Sequence, residues 1–334
     1  MAYDAGVLRR ATQRLEEQRR AHAQQRERLR MEIYQKRPRL AQIDRQLQGT
    51  MAQLMATALR QGESPAQAIA AIREQNLELQ RERTQLLAQL GYQETVLDET
   101  PLCAQCGDTG WRGTQMCACL KKLYTQEQIG ELSKLLPLGE QSFETFRLDF
   151  YSMAPWPGRG ISPRENMELV KDICYSYANK FERFFTKNLF LSGAPGVGKT
   201  FLSACIARTV SEGGHSVVYD TAGNIFAQFE TQKFQRDSQD GQEARDEKRR
   251  YLQCDLLIMD DLGSELTTQF TQTALYELIN TRLVSGKHTV ISSNLTMPDV
   301  ARRYSPQIVS RLEGEYHVLH FFGDDIRLLK KKQL

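Results

Sequence analysis

The chain has 334 residues, 25% of them charged, with 44 Lys and Arg against 41 Asp and Glu and a formal net charge of +3. So small a balance leaves a polyanionic partner undecided by charge alone, and no apolar stretch approaches the roughly 20 residues that a bilayer-spanning helix needs. The N-terminus also lacks the apolar core of a secretion signal, so a cytoplasmic protein is expected, long enough for two or three units.

The first fifty residues carry roughly twice as many basic as acidic side chains, among them Arg9, Arg10, Arg14, Arg19, Arg20, Arg26, Arg28, Arg30, Lys36, Arg37 and Arg39. From Asp4 to Leu90 the composition is rich in Arg, Gln, Glu, Ala and Leu, and apolar residues recur three and four apart, which predicts long amphipathic helices. Arg37-Pro38 breaks the first. A second is expected from Pro38 to about Arg60, stopped by Gly62. Ser64-Pro65-Ala66-Gln67 supplies a cap, a proline at the first helical position and a reciprocal glutamine, starting a third helix that ends at Gly91. Leu77, Leu79, Leu86, Leu87 and Leu90 are its expected apolar face. Residues 1–93 read as a helical hairpin or short coiled coil, serving a partner or self-association.

Seven cysteines follow two patterns. Cys174, Cys205 and Cys254 sit singly in apolar contexts and read as core residues. Cys103, Cys106, Cys117 and Cys119 crowd into residues 94–120 as Cys-x-x-Cys and Cys-x-Cys around Gly107-Asp108-Thr109-Gly110-Trp111. Two thiolates from one tight turn share a tetrahedral ion readily, so this segment is expected to hold structural Zn²⁺. The one-residue spacer is tighter than the usual two to four, and a redox or disulfide pair and unliganded thiols are the alternatives.

Residues 121–163 read as a linker with a hinge at Ala154-Pro155-Trp156-Pro157-Gly158 and an aromatic stretch at Ser142-Phe143-Glu144-Thr145-Phe146. Ser162-Pro163-Arg164-Glu165 repeats the helix-start signature. From residue 164 strands are expected near Leu189, Val217, Leu257, Thr289 and Val318 with helices between them, which predicts a doubly wound parallel α/β sheet over 164–334. A charged insertion between Gln232 and Arg250, with Lys233, Arg236, Arg245, Lys248, Arg249 and Arg250, reads as a solvated loop or a nucleic-acid contact.

The most informative stretch is Gly193, Ala194, Pro195, Gly196, Val197, Gly198, Lys199 and Thr200, placed directly after the apolar run Leu189-Phe190-Leu191. The pattern G-x-x-x-x-G-K-[ST] between strand and helix turns backbone N–H groups toward phosphate oxygens. Lys199 adds a compact positive charge and Thr200 a hydroxyl for Mg²⁺, while the helix N-terminus adds its partial charge. Such a site needs a carboxylate on a neighbouring strand. Asp255-Leu256-Leu257-Ile258-Met259-Asp260-Asp261 supplies two, with Asp260 expected at Mg²⁺ and Asp261 placed to orient the attacking water. Asn294, at the end of Thr289-Val290-Ile291-Ser292-Ser293, is expected at the γ-phosphate or that water. Arg311, after a helix and before the last strand, is expected to reach a neighbouring copy's site in trans.

Together the phosphate loop, Asp260-Asp261, Asn294 and Arg311 resemble the AAA+ ATPases. Cys-Asp-Leu-Leu-Ile-Met-Asp-Asp-Leu-Gly and Ser-Asn-Leu narrow the resemblance to the DnaC and DnaI type of bacterial replicative helicase loader, over about the last 190 residues. The cysteine cluster is similar to the zinc-bearing N-terminal part of the DnaI-like members. This resemblance implies a partner in the hexameric replicative helicase, gripped by the N-terminal region, and an ATPase core that binds ATP and single-stranded DNA and assembles side by side. There are departures. The short stretch after Gly323-Asp324-Asp325-Ile326-Arg327 is expected to leave no room for the helical lid of most AAA+ proteins, which puts Arg327 in doubt as a γ-phosphate sensor. Asp261 is one methylene shorter than the usual glutamate, which points to slow, partner-regulated hydrolysis. Alternative readings are an IstB-type transposition helper, which shares this core, and a helical adaptor with a scaffolding ATP site.

Overall fold

The computed structural model describes residues 3–58, 65–136, 138, 141–235 and 238–332. The chain parts into two compact units, Gln13–Cys117 and Met1–Thr12 with Ala118–Leu334. In chain order the first elements are helices α1 (Ala5–Lys36), α2 (Pro38–Ala58) and α3 (Pro65–Gln89), then the two-stranded antiparallel hairpin of β1 (Trp111–Arg112) and β2 (Gln115–Met116).

Pro38 has no N–H and disfavours the helical conformation in the residue before it, so α1 stops at Lys36 and α2 starts at the proline. The expected stop at Gly62 and cap at Ser64 lie outside the described residues. α2 and α3 run antiparallel, joined by a bidentate Arg39–Glu82 pair at 2.8 Å and by a 3.0 Å bond from Thr50 to Asn76. Ile33, Leu40, Leu87 and Leu97 form the buried centre of this unit. Beside it Arg83 donates to Asp44, to the Glu94 carbonyl and to Asp98, each at 2.9 Å. Leu77 does not share the apolar face assigned to it and is 45% exposed. It stands two residues, about 200° of helix, from buried Leu79.

The second unit continues with α4 (Ala118–Leu132), a 3₁₀ turn at Leu148–Phe150, α5 (Pro163–Asn179), β3 (Asn188–Gly193), α6 (Lys199–Glu212), β4 (Val217–Thr221), α7 (Ala222–Phe234), α8 (Gln239–Gln253), β5 (Leu256–Leu262), α9 (Gln269–Val284), β6 (His288–Ser293), α10 (Met297–Arg303), α11 (Pro306–Glu315), β7 (His317–Phe321) and α12 (Ile326–Lys332). The strands form one parallel sheet in the order β4-β5-β6-β3-β7. Alternation along each strand divides the core in two. Leu189, Leu191, Ile258 and Val290 pack toward α5 and α6 with Met167, Val170, Leu202 and Ile206, whereas Phe190, Leu257, Met259 and Ile291 pack with Ile225, Leu275, Ile279 and Leu312 of α7, α9 and α11. This is the expected doubly wound α/β architecture. Cys174, Cys205 and Cys254 are buried in it.

Two expectations are corrected here. Residues 121–163 are no free linker. Gln128 of α4 donates to the His215 carbonyl at 2.8 Å and accepts from Val217 N at 3.2 Å, and Leu132, Phe143, Phe146 and Tyr151 belong to the buried core. The insertion at 232–250 is mainly helix, not loop. Its α8 buries Ala244 and Tyr251, Lys248 lies over the Phe229 ring and pairs with Glu277 at 2.8 Å, and Arg250 pairs with Asp4 at 2.6 Å and Glu131 at 3.2 Å. Two of the charges that read as solvated, Lys248 and Arg250, are here matched by ion pairs. Arg236 lies outside the described residues.

Candidate active site

The site gathers at the C-terminal ends of β3, β5 and β6, which lie side by side. The phosphate-type loop leaves β3 at Gly193 and enters α6 at Lys199. Gly196 and Gly198 have φ of 81° and 100°, the left-handed region that a Cβ makes costly. At Gly198 a Cβ would also stand 2.6 Å from the Tyr151 hydroxyl. That hydroxyl donates to the Val197 carbonyl at 3.0 Å, and Phe146 stacks on the Tyr151 ring and meets Phe201. The aromatic segment before α5 therefore straps the loop from outside.

Lys199 is 7% exposed. Its Nζ donates to the carbonyls of Gly193 at 2.5 Å and Ala194 at 2.8 Å and to Asn294 Oδ1 at 2.7 Å. The Asn294 amide nitrogen donates to Asp261 Oδ1 at 2.9 Å, so the amide bridges the lysine and the second acid. Burial pushes Lys199 down to about 8, against the pull of Asp260 and Asp261 and with a small push from Arg327.

Asp260 is 8% exposed. Its Oδ1 accepts from the Ser292 hydroxyl, and its Oδ2 accepts from Tyr219 OH at 2.5 Å and Thr200 Oγ1 at 3.3 Å. Burial and the neighbouring Asp260 hold the Tyr219 hydroxyl far above its ordinary range, so it stays a donor. Asp261 follows in a bulge: Met259 pairs with Ile291 and Leu262 with Ser293, leaving two acids of β5 opposite the single Ser292 of β6. Asp261 has φ of 59°, a conformation that Asp and Asn tolerate better than other side chains with a Cβ. Successive side chains of a regular strand point to opposite faces; the bulge is what lets Asp260 and Asp261 both line one cleft.

That cleft measures about 620 Å³ and is also lined by Lys199, Thr200, Asn294, Phe146, Phe150 and Arg327. Buried donors on one wall and two acids on the other suit a polyphosphate carrying a divalent cation. Arg327, left without a role above, lines the cleft because the Ile326 amide donates to the Gly196 carbonyl at 3.1 Å and docks the start of α12 on the loop. Arg311 is not among the described residues lining it. Its guanidinium lies over the Tyr276 ring and donates to Tyr276 OH and Asn280 Oδ1, both at 2.8 Å. Sequence reasoning missed Tyr219, Ser292 and Tyr151, since a lone hydroxyl in or near an apolar strand carries no motif.

Cys103, Cys106, Cys117 and Cys119 bring their sulfurs within 4.8 Å of one another, with Cys103 and Cys117 at 3.8 Å. A tetrahedral Zn²⁺ with bonds of about 2.3 Å separates its sulfurs by roughly that distance. Asp108 accepts from the amides of Leu102 at 3.0 Å and Cys103 at 2.8 Å, and the Gly107 amide bonds back to the Cys103 carbonyl at 2.9 Å, closing the turn that presents the first pair.

Residues 180–334 match the family described as IstB-like ATP binding protein. Among curated proteins, the uncharacterized protein YdaV of Escherichia coli (strain K12) is 25% identical over 125 residues, 37% of this chain and 48% of YdaV. The replicative helicase loader DnaC of the same strain is 22% identical over 136 residues, 41% of this chain and 54% of DnaC. This chain thus spans about half the length of the curated relatives it matches. A crystal structure of the DnaC helicase loader superposes with a TM-score of 0.43 at 18% identity, covering 56% of this chain and 99% of that one.

Proposed function

We propose that this chain is an ATP-dependent loader of the replicative DNA helicase, built on an AAA+ ATPase domain; the match of residues 180–334 to IstB-like ATP binding proteins and the similarity to the helicase loader DnaC support this reading. In this reading it binds ATP with Mg²⁺ and hydrolyses it slowly, as a switch, in the cytoplasm. The observation that carries the ATPase part is the continuous hydrogen-bonded path from Lys199 through Asn294 to Asp261 beside the Asp260 carboxylate. It joins the phosphate loop to the second acid across three adjacent strand ends, while Thr200 Oγ1 reaches the first at 3.3 Å.

Each residue then has a task. The backbone N–H groups of the loop, from which Pro195 is excluded because it has none, and the Lys199 ammonium bind the β- and γ-phosphates. Thr200 and Asp260 would hold Mg²⁺, which when bound neutralises charge on the phosphate oxygens. Asp261 orients the attacking water and accepts its proton, and the Asn294 amide fixes that water or a γ-phosphate oxygen. Arg311 serves a neighbouring copy, since its neutral partners Tyr276 and Asn280 leave its charge available. The four cysteines hold structural Zn²⁺, and the helical region grips the helicase. Single-stranded DNA is the nucleic-acid partner. Among the described basic residues of 232–250, Lys233, Arg245 and Arg249 are the exposed ones.

The loader step is supported by the similarity to DnaC. It is tested by size-exclusion chromatography with light scattering of this protein mixed with its own host's hexameric helicase, with and without ATP and Mg²⁺. A co-complex that changes with nucleotide is expected; a protein that ignores the helicase in every state sinks the loader reading. The family match to IstB-like ATP binding proteins favours one second reading, a transposition helper. It is separated by asking whether duplex DNA and a transposase, rather than the helicase, stimulate hydrolysis.

A further inference from the structure

We propose that Ser292 is a positioning residue for the two acids, holding the β5 bulge in the one form that aims Asp260 and Asp261 into the same cleft. The proposal deepens the ATPase reading above and rests on it. Ser292 is 1% exposed and is the single β6 residue opposite the bulged pair. Its hydroxyl donates to Asp260 Oδ1 while its oxygen accepts from the Asp261 amide at 3.0 Å. A hydroxyl has one hydrogen to give and lone pairs to receive, so this one side chain serves the first acid's carboxylate and the second acid's backbone together. One residue on, Ser293 donates to the Leu262 carbonyl at 2.6 Å, closing the far side of the bulge.

The consequences are specific. Without the Ser292 hydroxyl the Asp261 amide loses its acceptor and Asp260 Oδ1 its donor, both in a place with little water. The backbone that holds Asp261 at φ of 59° is then free to relax toward a regular strand, which turns one acid out of the cleft. Tyr219 grips only the other oxygen of Asp260. Its loss disturbs the carboxylate and spares the bulge.

The test uses the full-length chain as Ser292→Ala, Ser292→Thr and Tyr219→Phe, with two readouts. One is hydrogen exchange at the Asp261 amide in EDTA; the other is the Mg²⁺ concentration giving half-maximal binding of a fluorescent ATP analogue. Ser292→Ala is expected to speed Asp261 exchange about tenfold or more. It should also raise the Mg²⁺ requirement by about tenfold or more, with analogue binding in EDTA unchanged. Ser292→Thr should restore both, and Tyr219→Phe should raise only the Mg²⁺ requirement. Wild-type exchange and Mg²⁺ dependence in Ser292→Ala overturn the proposal, as does a Tyr219→Phe variant that loosens the Asp261 amide equally. If alanine prevents folding, Ser292→Cys keeps the side-chain volume with only a weak donor and acceptor and carries the same test. Failure of the ATPase reading looks different: the wild type itself then shows no Mg²⁺-strengthened analogue binding, whatever the exchange data say of the bulge.

Discussion

Lys199 and Asn294 are joined by a 2.7 Å hydrogen bond from Nζ to Oδ1, 95 residues apart in sequence. The bond orients the amide, because an oxygen turned toward Lys199 leaves the nitrogen facing Asp261. The lysine thereby sets which end of the Asn294 amide faces the second acid.

Asn294→Ala removes that relay without opening the loop. ATP hydrolysis is expected to fall by about a hundredfold, the scale for loss of one preorganised donor, while nucleotide affinity changes little. Steady-state hydrolysis measured beside equilibrium binding of a fluorescent ATP analogue checks it; an affinity loss as large as the rate loss would place Asn294 in ground-state binding instead.

Titration of Lys199 gives a second expectation. Burial lowers its pKa to about 8, so the unfolded chain binds more protons than the native state between that value and the ordinary lysine range. Stability from this group therefore rises with pH across that window, and the cost of the buried charge is fully present below it. A bound polyphosphate favours the charged lysine, so nucleotide binding should take up a proton above about pH 8 and weaken as pH rises further. Calorimetry in buffers of different ionisation enthalpy reads the uptake. Lys199→Met should abolish it, and an uptake that survives in that variant belongs to another group.

The five strands, the phosphate loop and both acids were legible in the sequence because each follows a local rule: buried parallel strands read as apolar runs, and phosphate loops need glycine at fixed offsets. What was not legible depends on contacts distant in sequence. Arg282 is fully buried and donates to the Tyr251 carbonyl at 2.6 Å, the His288 carbonyl at 2.5 Å and Thr289 at 3.0 Å, yet in sequence it is one more charge on a helix. Tyr151 reads as part of a linker until the fold sets its hydroxyl against Val197. Arg250 misled in the other direction, since a cluster of positive charge gives no sign of Asp4 and Glu131 waiting across the fold.

For that reason the basic residues of α8 and of the end of α7 should separate by role. Arg250→Ala is expected to destabilise the fold by about 1–3 kcal/mol, the range for leaving charged hydrogen-bond partners unmatched, with little change in the salt dependence of single-strand binding. Replacing exposed Lys233, Arg245 and Arg249 together should do the reverse, weakening binding and flattening its salt slope. Thermal unfolding beside binding at several salt concentrations distinguishes the two; an unchanged slope in the triple variant removes those residues from the interface.

The cysteine cluster predicts one equivalent of Zn²⁺ per chain in protein purified without chelator. Cys117→Ser, at the buried ligand, should lose the metal and destabilise the segment around it, because metal affinity is folding free energy in so small a motif. Cys254→Ser should keep the full equivalent. Elemental analysis of the purified variants decides, and zinc retained after loss of Cys117 would mean the four sulfurs do not act as one site.

Asp261 offers a test in which backbone and carboxylate pull apart. Asn fits the left-handed φ of 59° about as well as Asp and keeps an oxygen for the Asn294 amide, so Asp261→Asn should fold with an unchanged thermal midpoint and bind nucleotide normally. It lacks the negative charge that accepts a proton from water, and its hydrolysis should drop by at least about a hundredfold. Asp261→Glu restores the charge and the length usual in AAA+ sites but puts a longer side chain on a backbone that favours Asp and Asn. It is expected to lower the thermal midpoint and to hydrolyse more slowly than the wild type. A glutamate variant that is both stable and faster would show that the bulge tolerates the longer acid, and that the slow rate expected here lies elsewhere than in the missing methylene.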